Sequence, residues 1–256
     1  MDSIDLIIVV IFLIIVVYVI QRAISTVEQQ ADTEFQKKEL EQQLKEQTFG
    51  DRPLNEILDI NFGVDPSRNQ FNFDDPEKDK QPQSVIITVI NKSENIDIYI
   101  DWDKSTISNY ADPSRRVIRL RMDGKLGSTS LPPGSQLPSI VVPGSRLAAR
   151  ITVEDVLEVK ADDKGEKFIQ PKEPLLSFVS LQKVIKDKKK PKPVKDALKK
   201  QKKDFESRKP LEFSMRLRLR LADMSQGGAE YPYSFRCRFT VTRVRWANLL
   251  PWMPKK

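Results

Sequence analysis

Catalysis at neutral pH leans heavily on histidine, and this 256-residue chain has none. That removes an imidazole general base, Ser-His and Cys-His nucleophile pairs, and most zinc sites. No Gly-rich phosphate loop of the P-loop or dinucleotide type is present either. Carboxylates are what remain. Asp97, Asp101 and Asp103 fall on the polar side of one alternating stretch, and Asp101 and Asp103 would stand about 6.8 Å apart on a strand. Glycosidase pairs have such separations, but they flank a substrate cleft, whereas these would share one open strand face. Ion pairing across strands with an Arg row, such as Arg119 and Arg121, is the expected use of the Asp row. A Ca²⁺ site built from the same residues, or from Asp162, Asp163 and Glu166, is the weaker alternative. The single cysteine, Cys237, lies on the apolar side of its stretch and reads as a small buried hydrophobe. No catalytic, cofactor or metal residues are assigned, and no enzyme is expected.

Basic residues offer a different chemistry, the binding of anions. Arg216, Arg218, Arg220, Arg236 and Arg238 project from one side of two alternating runs. Like charges facing one another are destabilising, so the row needs acids between its members or an anionic partner outside. Arginine at all five places suits bidentate contact with carboxylate or phosphate. Residues 183–209 hold 13 Lys/Arg against 4 acids, a net of +9, while the whole chain is +7. The basicity is therefore local. Lys188, Lys189, Lys190, Lys199, Lys200, Lys202 and Lys203 are its candidate contacts to acidic lipid or an acidic protein. Nucleic acid is disfavoured, because no aromatics are interleaved for base stacking. With few sizeable apolar residues, Val194, Leu198 and Phe205 among them, the segment is expected to be a solvated loop or an exposed helix. The tail carries Trp246 and Trp252 beside terminal lysines, the composition of a membrane interface.

The elements that must position these groups follow from periodicity. Residues 84–90 are an apolar, β-branched run, and Ile96, Ile98, Ile100 and Trp102 alternate with polar residues. Similar patterns cover 116–122, 146–153 and 175–181. The longest are Leu211 to Leu221 and Tyr231 to Val241, which predict an antiparallel hairpin. An apparent change of phase at Val244 and Trp246 predicts a β-bulge near Thr242-Arg243. About seven strands with Pro/Gly turns predict a mainly β domain over 84–256, an antiparallel two-layer sandwich with a basic insertion at 183–209. A Pro-Gly-Ser turn leading into a strand is similar to many immunoglobulin-like domains, although the Cys…Trp…Cys spacing is missing.

Ahead of the domain stands Leu6 to Ile20, fifteen apolar residues in a row. With flanking Ile4, Ala23 and Ile24 the run is long enough for the ~30 Å hydrocarbon core, Arg22 snorkelling to the headgroups. Asp2 and Asp5 precede it and no small-x-small site follows, so residues 1–24 are read as a retained anchor and not a cleaved signal. Lys and Arg occur only after the run, which places the bulk of the chain in the cytoplasm. One cysteine leaves no imprint of an oxidising compartment. Residues 25–50 are expected to be a helical stalk, and the helix-forming stretch 21–48 could pair with itself in an oligomer; residues 51–83 are expected to be a linker with a short helix. The expectation is a single-pass membrane protein presenting a non-enzymatic binding or scaffolding module, an accessory part of a membrane complex. The alternatives are a carboxylate- or Arg-dependent enzyme, or an envelope protein with its sandwich outside the cytoplasm.

Overall fold

The computed structural model describes residues 3–28, 30–64, 70–72, 82–108, 114–121, 126–127, 135–161, 167–175, 185–186, 191–223 and 228–244. Helix α1 (Ser3–Glu28) comes first. Its segment Leu6–Ile24 has 19 residues and none of it is buried, and it is long and apolar enough to cross a membrane.

The helix does not run on. Residues Gln30–Phe35 form strand β1, and only then does helix α2 (Lys37–Glu46) follow. The expected continuous helix over 21–48, read as part of a stalk over 25–50, is interrupted: its two ends are helical, but Gln30–Phe35 between them is a strand. Gln, Glu and Lys favour helix, but Ala31 and Thr33 are buried on one face of β1, and pairing with the last strand outweighs so weak a propensity.

The strands that follow are β2 (Thr48–Phe49), β3 (Arg52–Pro53), β4 (Leu58–Val64), β5 (Gln70–Asn72), β6 (Val85–Asn91), β7 (Ile96–Ile100), β8 (Thr106–Ser108) and β9 (Arg115–Leu120). After them come β10 (Leu126–Gly127), β11 (Ser139–Val141), β12 (Arg146–Val153), β13 (Leu157–Ala161), β14 (Lys167–Pro171), β15 (Leu211–Asp223) and β16 (Glu230–Arg243). Helix α3 (Leu54–Ile57) precedes β4, and helix α4 (Lys192–Glu206) precedes β15. The chain is mainly β, and its principal antiparallel sheet is a nearly closed barrel in the order β4-β6-β12-β9-β8-β15-β16-β1-β5.

The pairing explains the closure. β9 pairs with β12 along Val117 to Leu120 and with β8 at Arg115 and Arg116, carrying the sheet around a corner. The path does not reproduce the expected division into two immunoglobulin-like layers. Between β4 and β1 the seam is closed by rings. Phe62 and Phe35 meet edge-on at 4.8 Å, and both contact Phe239, which stacks on Phe213 at 4.6 Å. Aromatic pairs of this kind add about 0.5–1.5 kcal/mol each to the area they bury. Within 51–83 the expected short helix is α3, while residues 58–64 belong to the barrel and are not linker: Leu54, Ile57, Leu58 and Ile60 are buried and β4 pairs with β6 over seven residues. Residues 65–69 and 73–81 lie outside the described residues.

Candidate anion-binding surfaces

The hairpin positions the arginines as alternation requires. Leu211 faces Val241 and Leu221 faces Tyr231, an unbroken antiparallel register. Leu211, Phe213, Met215, Leu217, Leu219 and Leu221 are buried, as are Phe235, Cys237 and Phe239. The five arginines stand on the opposite side of the two strands. Burial pushes the Cys237 thiol far above its ordinary range, so it stays protonated at neutral pH. The expected bulge is not formed. β16 pairs regularly with β1 from Phe239 to Arg243. The apparent change of phase arises because Arg243, on the side of Val241, lies over the ring of Phe205 at 5.9 Å.

The five arginines have different surroundings. Arg238 is paired with Glu39 of α2 at 3.0 Å and with Glu212 at 3.8 Å. Arg220 is paired with Glu230 and lies over the Tyr99 ring at 5.5 Å. Arg216 and Arg236 face one another across the hairpin, both exposed, with no ion pair to either among the described residues. Arg218 lines a half-open cleft of about 470 Å³ with Asp101, Asp103, Lys104, Thr106 and Arg220.

That cleft brings Asp101 and Asp103 beside Arg218 and Arg220 of the Arg row. Asp103 binds Arg116 at 2.6 Å and Asp101 binds Lys104 at 3.2 Å. Arg119 instead donates to Ser139 Oγ, and its amide donates to Gln136 Oε1 at 2.9 Å. Partial burial pushes the Asp103 carboxyl up, but hydrogen bonds from Arg116 and Gln136, with the Arg116 charge, outweigh it and hold it below the usual range. A carboxylate held this way is ionised at neutral pH and balances the Arg116 charge. The cleft is equipped to receive a carboxylate or phosphate through Arg218. Among the described residues no group of three or more His, Cys, Asp or Glu could hold a metal ion; Asp162, Asp163 and Glu166 lie outside them.

The basic segment departs most from expectation. Of the two expected forms, solvated loop or exposed helix, residues 192–206 take the helix, α4, but it is docked, with Leu198 2% and Phe205 1% exposed inside the main core. Spaced seven apart, the two fall on one side of the helix. Lys199, Lys200 and Lys203 are exposed on the other side, and Lys202 is half-buried. Lys202 reaches Glu206 at 3.5 Å and Lys199 reaches Asp196 at 4.0 Å, while Lys200 and Lys203 have no ion pair among the described residues. The hydrogen bond from Lys209 at 2.9 Å, and the charges of Lys209, Lys200 and Lys203, hold Asp204 below the usual carboxylate range. Lys188, Lys189, Lys190, Trp246 and Trp252 lie outside the described residues.

Periodicity missed one feature, the covering of the strand β16. Beyond Phe35 the strand β1 has left, and α2 takes its place. Gln43 Nε2 donates to the Arg236 carbonyl at 2.8 Å, and Gln43 Oε1 accepts from the Arg236 amide at 2.9 Å. One side-chain amide thus stands in for a neighbouring strand and covers an edge that would otherwise invite pairing. The Leu40 and Leu44 spacing was the available signal. Comparison with known protein families, with curated proteins and with solved structures finds no match.

Proposed function

We propose that this chain is a single-pass, membrane-anchored, non-enzymatic binding module whose barrel sits directly on the bilayer surface, on the cytoplasmic side, and docks an acidic partner on its Arg hairpin face. The observation that carries the reading is the passage from α1 to β1. The helix ends at Glu28 and the strand begins at Gln30. Glu28 lies about 6 Å along the helix from the end of the apolar span at Ile24, so the barrel has no spacer to lift it from the headgroups. Side-chain chemistry supports binding over catalysis. The cleft acids are neutralised by neighbours, and Arg216 opposite Arg236 is a repulsion that an acidic partner would relieve. The positive residues after the span favour the cytoplasmic side.

Two measurements test this. Alkaline carbonate should leave the protein in the membrane pellet with residues 1–24 intact; release, or a mature N-terminus near residue 25, would remove the anchor. Crosslinking in intact membranes, read by mass spectrometry, should capture a partner with the native chain. A variant with Arg216, Arg218 and Arg236 changed to Ser should lose it. Capture that is indifferent to all three changes would refute the hairpin face as the docking surface.

A further inference from the structure

The ends of four elements converge on one rim of the barrel, and α4 is among them. Antiparallel pairing sets Ala31, at the start of β1, opposite Arg243, at the end of β16. β15 begins beside them, Leu211 opposite Val241. Arg243 Nη1 donates to the Glu206 carbonyl at 3.3 Å and its guanidinium covers Phe205, which fastens the C-terminal end of α4 to this rim. The same rim receives α1, whose last residue stands two positions before Gln30. The apolar span ends at Ile24, so about 6 Å of helix separates the hydrocarbon from the rim, about the depth of the headgroup layer.

The geometry points to α4 as a lipid-facing helix: its outward lysines, Lys199, Lys200 and Lys203, rest on anionic phospholipid headgroups of the leaflet from which α1 emerges. This rests on the reading that α1 spans a membrane. The helix is held by Leu198 and Phe205 turned into the barrel core, so Lys199, Lys200 and Lys203 face outward. Lys199 is at 4.0 Å from Asp196, and Lys200 and Lys203 have no ion pair among the described residues, though their charges act on Asp204. With the C-terminal end of α4 held at that rim, a cationic face brought to the headgroups would gain about 1 kcal/mol per basic residue from an anionic surface, roughly fivefold for each lysine. A rigid helix suits this better than a loop, since the lysines lose no backbone freedom on contact. Phosphatidylserine-type or phosphoinositide-type phosphates supply the counter-charge, and the barrel is thereby oriented with its Arg hairpin cleft, near the far end of β15, away from the bilayer.

The test uses the full chain reconstituted into vesicles of phosphatidylcholine alone or with about one third phosphatidylserine. A brief pulse of a membrane-impermeant amine reagent is followed by mass spectrometry of each lysine. Lys104, 73% exposed beside the hairpin cleft, serves as the internal reference. Labelling of Lys199, Lys200 and Lys203 should fall at least fivefold in the acidic vesicles while Lys104 is unchanged. At about 1 M salt, where the Debye length is ~3 Å, the difference should vanish. Equal labelling in both vesicles, with the protein still floating with them after alkaline carbonate, overturns the lipid contact and leaves the anchor standing. Failure to float after carbonate overturns the anchor itself. Protection by soluble poly-glutamate but not by acidic vesicles assigns the helix to an acidic protein and overturns the lipid contact.

Discussion

Asn91 shows how one polar side chain can hold several parts of this barrel. It is 1% exposed, and its Nδ2 donates to the carbonyls of Ile96 at 2.7 Å and Val141 at 2.8 Å. Its Oδ1 accepts from the Ser93 amide and hydroxyl at 3.1 and 2.6 Å. Asn91→Leu would strand these groups without water, and should cost about 3 kcal/mol in chemical denaturation. Asp103 is a second such residue, with a pH signature. Its folded-state pKa is depressed, so its stabilisation is present above the ordinary value of 3.8 and is lost as pH falls through the folded value. Asp103→Asn should therefore lower stability by roughly 1 kcal/mol at neutral pH. The deficit should close in strong acid, as urea unfolding of both proteins across the acid range would show.

The helix α4 is where periodicity and packing disagree, and the disagreement is measurable. Leu198→Ala should cost about 2–5 kcal/mol and Phe205→Ala about 3–5, because each empties a buried site. Lys199→Ala with Lys200→Ala should stay within about 0.5 kcal/mol, as exposed changes do. Thermal unfolding of the three variants separates a docked helix from the solvated segment that composition suggested. At α2, Gln43→Leu removes both hydrogen bonds to Arg236 and opens the β16 edge. A loss of about 1–2 kcal/mol is expected, together with faster exchange of the Arg236 amide than in the native chain.

Across the whole molecule the helix α1 and the barrel are energetically separate. The apolar side chains of α1 are mostly more than half exposed and contribute nothing to the core, while β1 closes the sheet against β16. Removing residues 1–28 should leave the melting temperature of the barrel unchanged within error, and removing residues 1–36 should unfold it, since β1 and its ring contacts to β4 go with it. Equal behaviour of the two truncations would refute the placement of the boundary between α1 and β1. The Gly144 turn belongs to this scale too. Its φ of +67 lets Pro143-Gly144 reverse the chain, Ser145 N bonding Val142 O at 3.1 Å, and so carries β11 into β12.

What the sequence by itself determined is whatever depends on local alternation. The β15–β16 hairpin, the burial of Cys237, the strands β6, β7, β9 and β12, and the apolar length of α1 all follow from side chains that repeat at fixed period. Tertiary structure decided the rest. β1 is a strand because β16 offers it a partner, although Gln, Glu and Lys around it favour helix. α4 is docked because two apolar residues seven apart meet a ready hydrophobic site, which no count of apolar residues in the segment reveals. Barrel closure depends on how β9 divides its pairing between β8 and β12, a long-range choice that no short window contains. The candidate site followed the same division: the Arg row was legible from alternation, and Glu212 and Glu230 of the hairpin itself pair with two of its members, but the contacts of Arg238 with Glu39 and of Arg220 with Tyr99 come from distant parts of the chain.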